Sequence, residues 1–186
     1  MYEQMANYKR GEVAVSGELT HLYGQIKEFP DKDWDSSEAV KPTNTGIPVR
    51  CKWVKNGDAS AITARLCLKW DTATSEPGSV VIPAGDDDPP CGVADEFMAT
   101  AGAATGEGFW MVIEGPTELI SDGGSTLATT DEVVTAASGK VNKQTAAPAD
   151  TTAAMVQVNS RVGRPMLAVT NVDGTTFRAI VGPFMA

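Results

Sequence analysis

Five apolar residues stand in a row at Phe109, Trp110, Met111, Val112 and Ile113, the densest such run in the chain. A strand with no polar alternation has no face to offer water, so this one is expected to be covered on both sides. Whatever else the chain builds must supply that cover. Gly106 and Gly108 precede the run, and Gly115-Pro116 is expected to stop it. Glycine reaches positive φ, and proline removes a ladder donor. The lead-in, residues 93–98, reads as one or two helical turns or an irregular loop that packs over the strand.

The flanking sequence is written in short β segments. Val49, Cys51 and Trp53 alternate with Arg50 and Lys52, the period of a half-buried strand. Asn56-Gly57 is a strong turn dipeptide. Leu66, Leu68 and Trp70 alternate with Cys67 and Lys69, and a turn at residues 75–78 leads to a short strand at 79–82. Leu119-Ile120, residues 132–136 and residues 155–159 are further strand candidates, with a turn at Ser138-Gly139 and a loop around 144–150. Residues 166–172 and 175–181 flank Asp173-Gly174, the residue pair a type I′ hairpin demands. About eight short antiparallel strands with turns every ten residues or so predict an all-β sandwich or small barrel.

Residues 1–46 are different. Their apolar residues are scattered among glycines, charges and Pro30, and only Val13 and Val15 alternate well enough for a short strand. A segment of that kind cannot close a core of its own. It is expected as an extended arm that drapes over a domain at 47–186 or reaches a neighbour. On that reading, deletion of residues 1–46 leaves a folded domain. The anchors and surface contacts expected to meet other proteins are Tyr8, Leu22, Tyr23, Phe29 and Trp34 from the arm and Trp110 from the central strand.

Charge and cysteine usage exclude several roles. Fifteen Lys and Arg stand against 24 Asp and Glu, a net charge of −9. Such a balance argues against wrapping a phosphate backbone, so no nucleic-acid partner is expected. Three cysteines without CxxC spacing do not make an oxidised framework, which suits a reducing compartment. No signal-peptide core or membrane-length apolar run is present, so a soluble protein made in a cytoplasm, with no membrane partner, is expected.

No catalytic set emerges. His21 is the only histidine and sits in the arm, where a packing or surface role is expected. Cys91, between Pro90 and Gly92, could be exposed, but no cation stands near it in sequence to activate its thiol. Asp31, Asp33 and Asp35 begin like a calcium loop, yet Ser36 stands where the turn glycine belongs and Pro42 where the bidentate glutamate belongs. Asp86-Asp87-Asp88 reads as a solvated loop. The glycines of residues 102–108 lack the Lys-Ser/Thr of a phosphate loop. Of the four tryptophans, Trp53, Trp70 and Trp110 fall at inward strand positions. Trp34, beside carboxylates, is the one candidate sugar platform. No cofactor, metal or enzymatic activity is expected.

The segment GVADEFMATAGAATGEGFWMVIEGPTEL, with IPVRCKWVKNGDASAITARLCLKW before it and RVGRPMLAVTNVDGTTFRAIVGPF after it, resembles the head decoration, or cement, proteins of tailed bacteriophages. The resemblance spans residues 47–184 and leaves the arm unmatched. It implies a non-enzymatic virion protein on the capsid exterior. Its partner would be the major capsid protein, and it would form a homo-oligomer, with a trimer favoured. The alternative is a carbohydrate-binding or host-adhesion module of a head fibre or tail.

Overall fold

The computed structural model describes residues 10–14, 21–31, 45–74, 76–85, 88–124, 126–144, 159–170 and 172–184. The expected strand at 155–159 and the loop around 144–150 fall almost wholly outside them. The architecture is all-β. Eleven strands are present among the described residues: β1 (Val13–Ala14), β2 (Ile26–Phe29), β3 (Val49–Asn56), β4 (Cys67–Trp70), β5 (Ser79–Val81), β6 (Gly92–Ala94), β7 (Gly108–Ile120), β8 (Val133–Thr135), β9 (Val141–Lys143), β10 (Arg161–Pro165) and β11 (Thr176–Val181).

The pairing answers the choice between sandwich and barrel with both. β3 pairs β5 and β7, β5 pairs β4, β4 pairs β6, and β6 returns to β7, so five strands close a hydrogen-bonded ring. All of these pairs are antiparallel except β3–β5, which is parallel. One apolar cluster lies on the inner side of the ring strands, with Val54, Leu68, Val80, Ala94, Phe109, Met111 and Ile113 at its heart. A second sheet, in the order β7-β11-β10-β8-β9, grows from the far half of β7. A second cluster joins the outer wall of the ring, through Cys51, Trp53, Cys67, Val93, Trp110 and Val112, to that sheet, through Val133, Val141, Val162, Phe177, Ala179 and Val181.

The central strand obeys the expectation of double cover, and its side chains alternate between the clusters. Phe109, Met111 and Ile113 enter the first; Trp110 and Val112 enter the second. β4 does the same with adjacent residues, Cys67 to one cluster and Leu68 to the other. Its burial therefore does not alternate, because both of its faces are core.

Gly115-Pro116 does not stop the strand. β7 runs 13 residues, from Gly108 to Ile120, straight through the pair. Up to Glu114 it pairs β3, and from Gly115 it pairs β11. Gly115 has φ +111°, and a Cβ there would stand 2.7 Å from the Pro48 carbonyl oxygen. Only glycine fits a bend at which one strand leaves the ring and enters the sheet. The lead-in is neither helical nor a plain loop. Its first part is β6, with Val93 opposite Val112 and Ala94 opposite Met111, followed by a turn that the Met98 N–H closes on the Asp95 carbonyl at 3.1 Å.

The closing hairpin is shifted from its expected register. Asp173-Gly174 does turn, with Gly174 at φ +78° and the Thr175 N–H on the Val172 carbonyl. The partner of β11 is β10, paired as Gly163 with Val181 and Pro165 with Ala179, rather than residues 166–172. Val169 instead bridges Leu127, which draws that stretch away from β11.

The described parts of residues 1–46 belong to the same sheets. Val13 pairs Phe109, and β2 pairs β3 along its whole length, with Phe29 opposite Val49.

Candidate interaction surfaces and the ion cluster behind them

The N-terminal strands carry too few apolar residues to hold themselves in place by burial, so polar groups do much of it. Arg10 is 1% exposed. Its Nε and Nη2 donate to the two carboxylate oxygens of Asp95, at 3.0 and 3.1 Å, a bidentate fork. Nη2 also lies 3.6 Å from Glu96, and the guanidinium stacks 4.5 Å from the Phe97 ring centroid. Arg178 of β11 donates through Nη1 to both oxygens of Glu96, at 3.1 and 3.2 Å, and through Nη2 to Asp31 at 2.5 Å. The other Asp31 oxygen accepts from the Thr45 backbone N–H and hydroxyl. Five pieces of chain, at residues 10, 31, 45, 95–97 and 178, are thereby joined inside the protein.

Burial sets the electrostatics of this cluster. Desolvation pushes the Glu96 carboxyl above the ordinary glutamate value, against the pull of Arg178 and Arg10. Burial opposes the Arg10 charge, but Asp95, Cys51 and Glu96 together outweigh it and the guanidinium pKa ends raised. Nearby, Arg65 donates to Glu118 at 2.6 Å. Three arginines thus face four carboxylates, Asp31, Asp95, Glu96 and Glu118, and the full set carries one surplus negative charge when every group is ionised.

A second anchor is aromatic. Trp53 and Trp110 stand opposite each other across β3 and β7, with ring centroids 5.0 Å apart and planes at 72°. His21 packs on both, at 4.5 Å from Trp53 and 5.1 Å from Trp110, and Phe29 meets Trp110 edge-on at 5.4 Å. The His21 Nε2 lies 3.0 Å from a Glu12 oxygen. The lone histidine is therefore a packing residue.

These placements divide the residues expected to meet partners. Phe29 and Trp110 do not qualify: both are buried in the protein's own core, Trp110 at 0% exposure. The double cover read from the apolar run left no side of Trp110 for a partner. Leu22 at 73% and Tyr23 at 38% are exposed, in the turn that leads into β2. Tyr8 and Trp34 lie outside the described residues, as do Asp33 and Asp35. Asp31 is buried, serving Arg178 rather than standing in an open loop. Deleting residues 1–46 would remove Arg10, His21, Phe29 and Asp31 together. With them would go the fork on Asp95 and part of the cover of Trp110.

Sequence reasoning missed two surfaces. The first is the β2–β3 ribbon, where Ile26 is exposed beside Leu22 and Tyr23 at one end and Ile47 is exposed at the other. β2 stands at the end of the strand order, so this ribbon forms a margin of the fold. The second is a cleft of about 990 Å³ between the Pro89-Pro90 stretch and the β10–β11 hairpin. Trp70, Ile180 and Phe184 line it, with Arg161 and Arg164 among its polar groups. Both arginines bind one carboxylate, Glu132, at 2.7 and 2.9 Å. The Thr135 hydroxyl donates to the Asp88 carbonyl, which sets the Pro89-Pro90 wall over β8. The signal in sequence was Arg161 and Arg164 three residues apart on one short strand, legible only once β10 was known to end at Pro165.

All three cysteines are free and buried. Cys91 is 2% exposed, contrary to the exposure its Pro-Gly setting suggested, because it leads directly into β6 with its N–H on the Leu68 carbonyl. Burial raises the pKa of all three thiols. Cys67 and Cys91 belong to different apolar clusters.

No protein-family model matches the chain, and no curated protein matches it. Among solved structures, the N base of the head fibre protein gp8.5 of bacteriophage phi29 is similar at 10% identity and a TM-score of 0.49. The match covers 73% of this chain and 98% of that one. A likeness of that size carries no function from one chain to the other.

Proposed function

We infer that this is a non-enzymatic structural protein of a tailed-phage virion that binds the outer surface of the capsid, through the major capsid protein, and stabilises the shell. The observation that carries the reading is the exposure of Leu22, Tyr23 and Ile26 together at the start of β2 in an acidic chain. Apolar surface left in water at the margin of a sheet gains free energy when another protein covers it. Behind this patch, β2 is held by the aromatic cluster and the Asp31–Arg178 pair, so the surface meets a partner already ordered and little entropy is lost on docking. A ligand that binds the assembled shell and not its free subunits shifts assembly toward the shell by mass action. The net charge of −9 keeps copies soluble and away from packaged DNA. The resemblance of residues 47–184 to head decoration proteins agrees with this role.

The test is co-sedimentation with purified heads lacking this protein. The full chain is expected to pellet with them, and Leu22→Asp with Ile26→Asp to weaken binding at least about tenfold, roughly 1.4 kcal/mol, without changing the unfolding midpoint. Failure of the wild-type chain to bind heads overturns the reading. Glycan-array binding that Trp34→Ala abolishes, together with no binding to heads, would replace it with the adhesion role.

A further inference from the structure

The walls of the cleft have few backbone donors to offer a ligand. Pro89, Pro90, Pro165 and Pro183 line it and carry no N–H. The N–H groups beside them are used inside the protein: Cys91 donates to the Leu68 carbonyl, Met166 to Arg178, Gly182 to Val162 and Phe184 to Ile113. β10 is paired on both sides, by β8 and β11, so it has no edge for an added strand. What the cleft does offer is apolar surface and charge. Ile180 lines it and is 43% exposed, although it lies on a central strand of the second sheet. The Trp70 ring, also in the lining, is held by the Lys52 ammonium 4.8 Å from its centroid. Arg161 and Arg164 share the single carboxylate of Glu132, with side chains 46% and 63% exposed. One carboxylate cannot occupy the five N–H donors that each guanidinium carries, and it leaves one positive charge over. The neighbouring acids do not cancel that charge, because Asp88 is matched by Lys69 and Asp131 by Lys143, each at 2.9 Å.

We propose that the cleft holds a proline-rich, acidic segment of another protein in polyproline II form, with a carboxylate of that segment on Arg161 and Arg164 and its apolar side chains on Trp70 and Ile180. A polyproline II chain keeps its backbone in water and makes no internal hydrogen bonds, so walls without backbone donors cost it nothing. Such segments dock in grooves lined by aromatic rings, preformed and with little entropy to lose. Burial of the apolar side chains supplies the driving force. The surplus guanidinium charge fixes which residue of the segment sits where, and rejects a basic one. A saccharide is a poorer match, because its hydroxyls need acceptors and Glu132, the carboxylate of the cleft, is engaged by both arginines. The residues that carry the capsid reading, Leu22, Tyr23 and Ile26, do not line the cleft, so this proposal goes beyond that reading and is tested without heads.

The test applies the full chain to an array of synthetic peptides of about ten residues, roughly 30 Å of polyproline II. Proline is fixed at every third position, the period of that helix, and the rest vary among Leu, Phe, Asp, Asn, Lys and Ser. The peptides retained are expected to carry Asp beside Leu or Phe. The strongest is then labelled with fluorescein and titrated by anisotropy, beside versions with Asn or Lys in place of its Asp. The wild type is expected to bind the Asp version at least about tenfold tighter than the Asn version, and the Lys version more weakly still. Arg164→Gln removes the surplus charge and leaves Arg161 on Glu132, so the unfolding midpoint is expected to stay and the preference for Asp over Asn to vanish. Ile180→Asp, at an exposed position, is expected to keep the midpoint and to weaken the Asp version at least about tenfold. An array that retains no peptide, an Asp preference that survives Arg164→Gln, or binding untouched by Ile180→Asp overturns the proposal. Glycan-array binding that Ile180→Asp abolishes, with no peptide retained, overturns it too and gives the cleft to a saccharide.

Discussion

Replacing Arg10 by methionine should cost this protein a large part of its stability, and the structure says why. Methionine keeps the aliphatic packing of the arginine stem and removes the fork that holds Asp95. The Asp95 carboxylate is wholly buried and would keep only the backbone N–H of Phe97, at 3.1 Å. Breaking a buried pair by removing one partner costs about 3–5 kcal/mol, because the remaining charge has neither water nor counter-charge. Glu96 loses its second cation too, but Arg178 stays, so little is added. With a urea slope of roughly 2 kcal/mol per molar, the midpoint should fall by about 1.5–2.5 M. Trp53 and Trp110 are both buried, so tryptophan fluorescence reports the transition. Asp95→Asn and the double variant complete the cycle. The double variant should cost less than the sum of the singles by at least about 1.5 kcal/mol, since each single strands a charge that the double does not. A loss below about 1 kcal/mol for Arg10→Met, with additive singles, would refute the view that this fork ties the N-terminal segment down.

Three further outcomes are expected. Glu96→Gln should be neutral or stabilising near pH 7, because it removes the surplus negative charge while its side-chain oxygen still accepts from Arg178. The sign of the pH effect follows from burial. The folded state holds the Glu96 proton more tightly than the unfolded chain, so this stabilisation is full below the ordinary glutamate value and lost as pH rises through the raised one. Urea midpoints measured across that window should fall less steeply with rising pH for Glu96→Gln than for the wild type, and parallel curves would refute the assignment. Gly115→Ala should destabilise by about 2 kcal/mol or more by the same unfolding assay, since alanine meets both a positive φ and the Pro48 carbonyl. Cys51, Cys67 and Cys91 should resist alkylation in the native state and react only on unfolding, which mass spectrometry after timed iodoacetamide treatment would read.

The apolar run at 109–113 determined by itself that a central strand would be covered on both faces, because a strand with no polar side chain has nowhere else to go. Strict alternation at Val49, Cys51 and Trp53 likewise determined one face of β3, and the all-β class followed from these periods and the turn residues between them. Partnership was another matter. A glycine bend at residue 115 and a strand end at the same place look alike in sequence; only the tertiary structure, by offering β11 as a new partner, decided that the strand continues. The role of residues 1–46 was illegible for a similar reason. Arg10, Asp31, Asp95 and Arg178 are spread over the whole chain, and each alone is an ordinary charged residue. Periodicity records how a residue meets its own strand. Charge pairing across more than eighty residues is settled only when the fold closes and takes those side chains out of water together.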